Sequence, residues 1–151
     1  MIARERLIPI IVACPMFLQN LDTSVMATAL PSIAHSLAVE PLHLNLAVVS
    51  YLLSLAVFLP LSGWLAERWG PRQVFCWAIG IFALGSALCG LATSLPQLVV
   101  FRVIQGLGGA LMVPVGRLIL LRSVPAADMV RAMVWFTVPP TIGRMVGPLF
   151  G

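Results

Sequence analysis

Hydrophobic and polar positions alternate along the chain in long blocks. Five apolar segments, each about twenty residues or more, are separated by short polar connections, at 7–30, 44–66, 73–92, 98–121 and 131–151. A helix needs about 20 residues, rising 1.5 Å each, to cross the roughly 30 Å hydrocarbon core of a bilayer. Backbone in lipid must satisfy its own hydrogen bonds, and the alternating strands of a membrane barrel are absent from the pattern. The pattern predicts an all-α, polytopic membrane bundle.

Composition supports a lipid-facing molecule. Hydrophobic residues make up 60% of the chain, charged residues only 9%, and the mean hydropathy is +1.04, whereas soluble domains are about 45–50% apolar and about 25% charged. We therefore expect the lipid bilayer to be a partner that most of the protein surface contacts. The net charge of +4 does not indicate nucleic-acid binding, because the arginines form no basic patch. The three cysteines lack metal-ligand spacing and are expected to be small buried apolar residues.

The arginines that flank the apolar segments predict the topology. They occur before the first segment, between the second and third, and between the fourth and fifth, as Arg4, Arg6, Arg68, Arg72, Arg122 and Arg131. The two other connections contain no arginine or lysine. Because cytoplasmic loops carry the excess positive charge, we expect a multi-pass protein of the cell inner (plasma) membrane with a cytoplasmic N-terminus. The first apolar segment exceeds a signal-peptide core and is interpreted as an uncleaved helix.

A charged hairpin lies between the second and third apolar segments. Charges and glycines are concentrated between positions 63 and 72, as Gly63, Glu67, Arg68, Gly70 and Arg72. Pro71 prevents one helix from running through the segment. The hairpin is therefore predicted to be a tight cytoplasmic turn. Arg117, near the cytoplasmic end of the fourth helix, either extends to the membrane surface or bridges to Glu67.

Asp22 is the only acidic residue inside an apolar segment. It lies about 15 residues into the first helix, or about 22 Å from its inner end. A surrounding of low dielectric constant favours the neutral form of a carboxyl group, which can then take up and release a proton. Asp22 is therefore a candidate for proton coupling. The alternative is a carboxylate that a hydrogen bond or an arginine holds for structure alone.

Arg102 is expected at a similar depth in the fourth helix. An arginine there needs a carboxylate, carbonyl oxygens or water. It could pair reversibly with Asp22, or it could extend to the membrane surface with no function. Gly106, Gly108 and Gly109 follow closely and would allow neighbouring helices to approach.

The fifth segment carries small residues at intervals of four, followed by a proline. Gly143, Gly147 and Gly151 share one stripe, and Pro148 lies beside it, so another helix could pack there or the helix could bend. Arg144 interrupts this pattern about 20 Å deep, near the expected level of Asp22. It either pairs with Asp22 or is a damaging substitution, and the sequence leaves both open.

Four stretches together resemble the major facilitator superfamily. Residues 63–72 resemble its loop 2–3 motif G-x-x-x-[DE]-R-x-G-x-R, with glutamate where aspartate is commoner. Residues 21–31 resemble the helix 1 motif L-D-x-T-V-x-N-x-A-L-P of the 14-helix drug:proton antiporters of the EmrB/QacA type, with Ser24 and Ala27 as departures. Residues 102–109 resemble R-x-x-Q-G-x-G-G, and residues 143–151 resemble the start of the helix 5 antiporter motif. Residues 30–37 and 112–118 are similar to the MdtD-type multidrug resistance group.

The resemblance implies roles for these residues. Asp22, Arg102 and Gln105 would couple protons to substrate movement. The cytoplasmic gate would be formed by Gly63, Glu67, Arg68, Gly70, Arg72 and Arg117. Gly143, Gly147, Pro148 and Gly151 would form the helix 5 antiporter motif, in which Arg144 departs from the small, apolar or proline residues usual there.

The implied function is proton-coupled export of drugs or other lipophilic small molecules. The coupling ion would come from the proton gradient, with no cofactor. Residues 1–151 would be the N-terminal part of a domain whose full members have two six-helix halves, so the missing C-terminal helices would be partners. Five helices alone are not expected to transport. Alternatives are a uniporter or symporter of a metabolite and a non-transporting membrane protein; no catalytic constellation indicates an enzyme.

Overall fold

A computed structural model describes the backbone of residues 2–150 and the side chains of residues 7–149. The helices are α1 (Ile2–Leu37), α2 (Pro41–Phe58), α3 (Leu61–Trp69), α4 (Pro71–Gly90), α5 (Leu95–Ser123) and α6 (Met129–Phe150), with a 3₁₀ turn at Ala126–Asp128. Short turns connect them, and no strand occurs between residues 2 and 150. The predicted all-α fold class is confirmed.

Four of these helices are long and apolar enough to span a membrane. Within the described residues they are Leu7–Leu37, Pro41–Phe58, Pro71–Gly90 and Leu95–Ser123. The predicted fifth membrane segment corresponds to α6, whose 22 residues would extend about 33 Å. It contains Arg131, Arg144 and three prolines, and it is not among the helices that qualify as spans within the described residues. The fifth span therefore remains a prediction.

Helix α1 runs past the proline at which the first segment was predicted to end. The sequence suggested residues 7–30, yet the helix continues through Pro31 to Leu37. A proline removes one backbone hydrogen bond, a loss that membrane helices tolerate where neighbouring groups compensate. The helix stops at Ala38, where φ is 53° and the Val39 N–H donates to the carbonyl of Ala34 at 3.1 Å. This positive φ, rather than Pro31, ends the helix.

The predicted second segment, 44–66, is two helices rather than one. Pro60 interrupts the run between α2 and α3 because it has no N–H to continue the hydrogen-bond ladder. The predicted hairpin turn is also shorter than expected. Glu67 and Arg68 lie in the last turns of α3, and only Gly70 lies outside the helices.

Gly70 makes this tight connection possible. Its φ of +87° and ψ of 141° belong to a region that side-chain-bearing residues rarely adopt. Its N–H donates to the carbonyl of Ala66 at 3.0 Å, which closes α3. Pro71 then begins α4 at a position where a missing N–H costs little.

Helix α5 is the centre of the bundle. It packs against α1, α2, α3 and α4, while α6 lies along α1. The largest core cluster joins α1, α2, α4 and α5 through residues such as Met16, Tyr51, Phe75, Phe82 and Met112. Many large apolar side chains are exposed on the outer faces, which fits contact with lipid rather than with water.

Candidate functional site

A partly buried ion pair joins α5 to α1. Arg102 Nη1 lies 2.9 Å from Asp22 Oδ2. The Arg102 side chain is only 2% exposed and that of Asp22 is 25% exposed, so the pair is open to its surroundings on the carboxylate side. It is the only ion pair within 4.0 Å among the side chains that the structure describes. The two residues expected at similar depth therefore meet, and the cation has the carboxylate partner that an intramembrane arginine needs.

Gln105 supplies a second acceptor to the same guanidinium nitrogen. Arg102 Nη1 donates to Gln105 Oε1 at 2.7 Å. The two residues are three positions apart on α5 and so share one face of the helix. Cys89 Sγ approaches the same oxygen at 3.7 Å from α4. Arg102 is therefore held between a charged and a neutral acceptor.

An aromatic ring and an amide complete the network. The Arg102 guanidinium carbon lies 4.3 Å from the centroid of the Tyr51 ring on α2, within cation–π distance. The Tyr51 hydroxyl accepts a hydrogen bond from Gln19 Nε2 of α1 at 3.1 Å. On the far side, Ser86 Oγ of α4 lies 3.5 Å from Asp22 Oδ1. Groups from α1, α2, α4 and α5 thus surround one charged pair.

Three buried polar atoms of this network lack a hydrogen-bond partner within the described part of the chain. They are Gln19 Oε1, Arg102 Nε and Gln105 Nε2. A buried polar atom without a partner costs about 1–3 kcal/mol. The hydrogen-bonding capacity of the network is therefore not fully used within the described residues.

Two cavities flank Asp22 between α1 and α4. The first, about 440 Å³, is lined mainly by apolar residues, and its polar lining residues are Asp22, Ser32, Ser36, Ser86 and Cys89. The second, about 650 Å³, also contains Asp22 and Ser86 at its wall. Asp22 is therefore accessible from a mainly apolar groove, whereas Arg102 is not.

The glycines of α5 allow three other helices to approach it closely. A Cβ at Gly106 would lie 2.6 Å from Ser54 of α2, one at Gly108 would lie 2.6 Å from the Phe82 nitrogen of α4, and one at Gly109 would lie 2.8 Å from Gln19 of α1. Real Cβ atoms do not tolerate such distances. Close helix approach, as expected from the sequence, positions the network.

The predicted gate residues lie apart from this network. Glu67, Arg68, Arg72 and Arg117 are all exposed, and no described acidic side chain lies within salt-bridge distance of Arg117. The suggested Arg117–Glu67 bridge is thus not formed. Arg68 instead lies 5.4 Å from the Trp64 ring centroid and 5.7 Å from that of Trp69. A Cβ at Gly63 would meet open space.

The small residues of α6 pack against α1. A Cβ at Gly143 would lie 2.9 Å from the Phe17 carbonyl oxygen, and one at Gly147 would collide with Ser24. Pro148 is exposed, and Gly151 lies outside the described residues. Arg144 does not reach Asp22; its Nη2 donates to Asn20 Oδ1 at 3.4 Å.

Sequence reasoning missed several members of the network. Tyr51 is the only tyrosine of the chain and Gln19 lies one helical turn before Asp22, and both facts could have singled them out. Cys14 and Cys76 are exposed and Cys89 is half-buried beside Gln105, so the expectation of three buried apolar cysteines was wrong.

Comparison with known proteins identifies relatives of this chain. The sequence profile of the Major Facilitator Superfamily matches residues 12–151. Proteins named "Putative multidrug resistance protein MdtD" from Salmonella paratyphi B, Salmonella heidelberg and Salmonella newport are each 52% identical over 141 residues, or 93% of this chain. The chain spans about 30% of the length of these relatives.

Proposed function

Because the chain belongs to the major facilitator superfamily, we propose that it is the N-terminal part of a transporter that exports lipophilic small molecules in exchange for protons. The observation that carries this proposal is the Arg102–Asp22 pair, 2.9 Å long, beside an apolar groove. The name of the MdtD relatives supports drugs as one class of substrate. Transport is proposed for a longer protein, since the chain spans about 30% of those relatives.

The network supplies a proton-binding group with an alternative partner for its counter-ion. A proton that binds Asp22 neutralises the carboxylate and removes the charge that attracts Arg102. Arg102 Nη1 keeps Gln105 Oε1 at 2.7 Å, and the unpaired Gln19 and Gln105 atoms offer room for rearrangement. Loss of the proton restores the pair. The arginine thus has two bonding arrangements that protonation selects.

The groove would allow a substrate to contact Asp22. Asp22 lines both cavities between α1 and α4, so a lipophilic molecule in the groove would sit beside the Asp22 carboxyl group. If a substrate binds only when Asp22 is charged, it cannot bind together with the proton that removes this charge. Such exclusion is the requirement for exchange.

The charged connection between α3 and α4 is proposed to act at the cytoplasmic gate. Glu67 and Arg72 are exposed and lack partners among the described side chains, so they are free to contact the other half of the longer protein. Gly70 fixes the turn between them through its positive φ. The arginine distribution supports a cytoplasmic N-terminus and an inner-membrane location.

Reconstitution of the full-length protein tests the proposal. Proteoliposomes with an imposed pH gradient are loaded with a panel of fluorescent lipophilic compounds, and efflux is followed with and without a protonophore. We expect efflux that follows the gradient and stops when the protonophore collapses it. Exchange of substrate across the membrane without a gradient would instead indicate a uniporter, and no flux of any compound would indicate a non-transporting membrane protein.

A further inference from the structure

Arg144 lies at the same level of the bundle as the Arg102–Asp22 pair. Its backbone carbonyl accepts a hydrogen bond from Ser24 Oγ of α1 at 3.0 Å, and its guanidinium reaches Asn20 Oδ1 at 3.4 Å. Residues 20 and 24 lie on either side of Asp22 along α1, within about 3 Å of rise. Arg102 and Arg144 thus lie at the same depth, and the Asp22 carboxylate pairs with Arg102.

Arg144 faces a different side of α1 from Asp22. Positions 20 and 22 are about 200° apart around a helix of 3.6 residues per turn. Asp22 accordingly points to the groove between α1 and α4, whereas Asn20 points to α6. Arg144 is therefore not part of the proton-binding network.

The Arg144 guanidinium has no carboxylate partner among the described side chains. The only ion pair there is Arg102–Asp22, and the neighbours of Arg144 are neutral. The Arg144 side chain is exposed at the surface of the described bundle, and a cation at membrane depth is costly unless an anion, carbonyl oxygens or water compensate it. Asn20 Oδ1 orients the guanidinium but does not neutralise it.

A cavity of about 250 Å³ lies beside this cation, between α1, α5 and α6. Its wall combines polar groups with apolar ones: Asn20, Thr137, Thr141 and Arg144 together with Phe136 and Pro140. Thr137 and Thr141 donate their hydroxyl protons to backbone carbonyls of α6. The remaining donors to a ligand are the free guanidinium N–H groups and the second N–H of Asn20, whose first donates to the Met16 carbonyl at 2.9 Å.

We propose that this cavity binds the carboxylate of a small lipophilic anion. The planar guanidinium fork matches a carboxylate and can bind both of its oxygens, and Phe136 and Pro140 contact an apolar body of about one or two rings. The site lies below the usual 300–1,000 Å³ of drug pockets, so the ligand is small. The site lies on a different side of α1 from Asp22, so this proposal adds an anion site that is separate from the groove of the proposed function.

Equilibrium binding tests the site without a gradient. The full-length protein is placed in phosphatidylcholine nanodiscs and titrated calorimetrically with 2-naphthoate and with its neutral analogue 2-naphthamide. We expect naphthoate to bind at least tenfold more tightly than the amide. Arg144→Gln should remove that preference, Arg144→Lys should retain part of it, and Asn20→Ala should weaken naphthoate binding several-fold.

A matched variant and a second lipid separate the alternatives. Arg131→Gln, which changes an exposed arginine on the same helix, should leave naphthoate binding unchanged. Equal binding of acid and amide, or an Arg144→Gln protein that binds as wild type, would overturn the proposal, and so would loss of naphthoate binding in phosphatidylglycerol nanodiscs, since an anionic headgroup would then occupy the site. Specific binding without gradient-driven efflux would leave this site standing while the proposed function failed.

Discussion

Arg102 contacts two other helices and a residue of its own helix through one side chain. It pairs with Asp22 of α1, stacks on Tyr51 of α2 and bonds Gln105 on its own helix. Because the side chain is almost fully buried, these partners rather than solvent compensate the cost of burying its charge. The pair should therefore make a large and mutually dependent contribution to the free energy of unfolding.

A double-mutant cycle measures that dependence. Arg102→Gln leaves Asp22 without its cation and should cost about 3 kcal/mol in the free energy of unfolding. The double change Arg102→Gln with Asp22→Asn should cost less than the sum of the single changes, by about 1–3 kcal/mol. Denaturant unfolding in detergent micelles, followed by circular dichroism, gives the values. Arg117→Gln, an exposed control, should change stability by less than about 0.5 kcal/mol; additive single effects would contradict the account.

For single residues, the sequence predicts how deep a side chain lies in the membrane better than it predicts which side chains it contacts. Counting the rise of each helix placed Asp22 and Arg102 close together, because depth depends only on residue number and direction. Gln19 and Tyr51 were missed because their contact depends on how α1 and α2 are rotated against each other, which residue counting does not determine. Arg144 illustrates the same limit: its depth was foreseen, but its Asn20 partner was not.

At the scale of single elements, α5 holds its neighbours through glycines that face three different helices. Gly108 is the most constrained against backbone, since a Cβ there would meet the Phe82 nitrogen and the Ala78 carbonyl oxygen of α4 at 2.6 and 2.7 Å. Backbone atoms cannot move aside as a flexible side chain can. Helix α4 would have to shift as a whole.

Gly108→Ala should therefore destabilise the bundle by about 1–3 kcal/mol, the usual cost of overpacking. Gly63→Ala is the matched control, since a Cβ there meets nothing within 4 Å and alanine favours helix by up to about 1 kcal/mol. Thermal unfolding in detergent compares the two. Equal melting temperatures for both variants would show that α4 and α5 are not packed as described.

The turn between α3 and α4 leads to a second prediction about a single element. Gly70→Ala places a side chain at φ +87° and should cost about 1–3 kcal/mol. Gly80→Ala, in open space within α4, should be neutral or stabilising by up to about 1 kcal/mol. Denaturant unfolding distinguishes them, and a Gly70→Ala protein as stable as wild type would refute the strained turn.

The apolar pattern located every long helix but not every helix end. A hydropathy pattern contains no information about the hydrogen bond that is lost at Pro60. The segment predicted as one helix is therefore two helices, α2 and α3. Conversely, Pro31 looked like an end, although α1 continues to Leu37. A helix is interrupted at Pro60 but continues through Pro31, because local packing decides whether a helix tolerates the lost hydrogen bond.

At the scale of the whole molecule, the arginine pattern makes a topological prediction. In a cysteine-free background, Thr93→Cys should react with a membrane-impermeant maleimide added to intact cells, because its loop lacks positive charge. Ala127→Cys, in the connection flanked by Arg122 and Arg131, should react only after the cells are permeabilised. The reverse pattern would invert the proposed orientation.

The central claim is that Asp22 couples proton movement to substrate export. The most direct measurement is gradient-driven efflux from proteoliposomes that contain the full-length protein with Asp22→Asn, compared with wild type and with Glu40→Gln, an exposed acid outside the helices. We predict that Asp22→Asn abolishes efflux while the amount of inserted protein is unchanged, and that Glu40→Gln transports normally. Unchanged, pH-driven efflux by the Asp22→Asn protein would contradict the account.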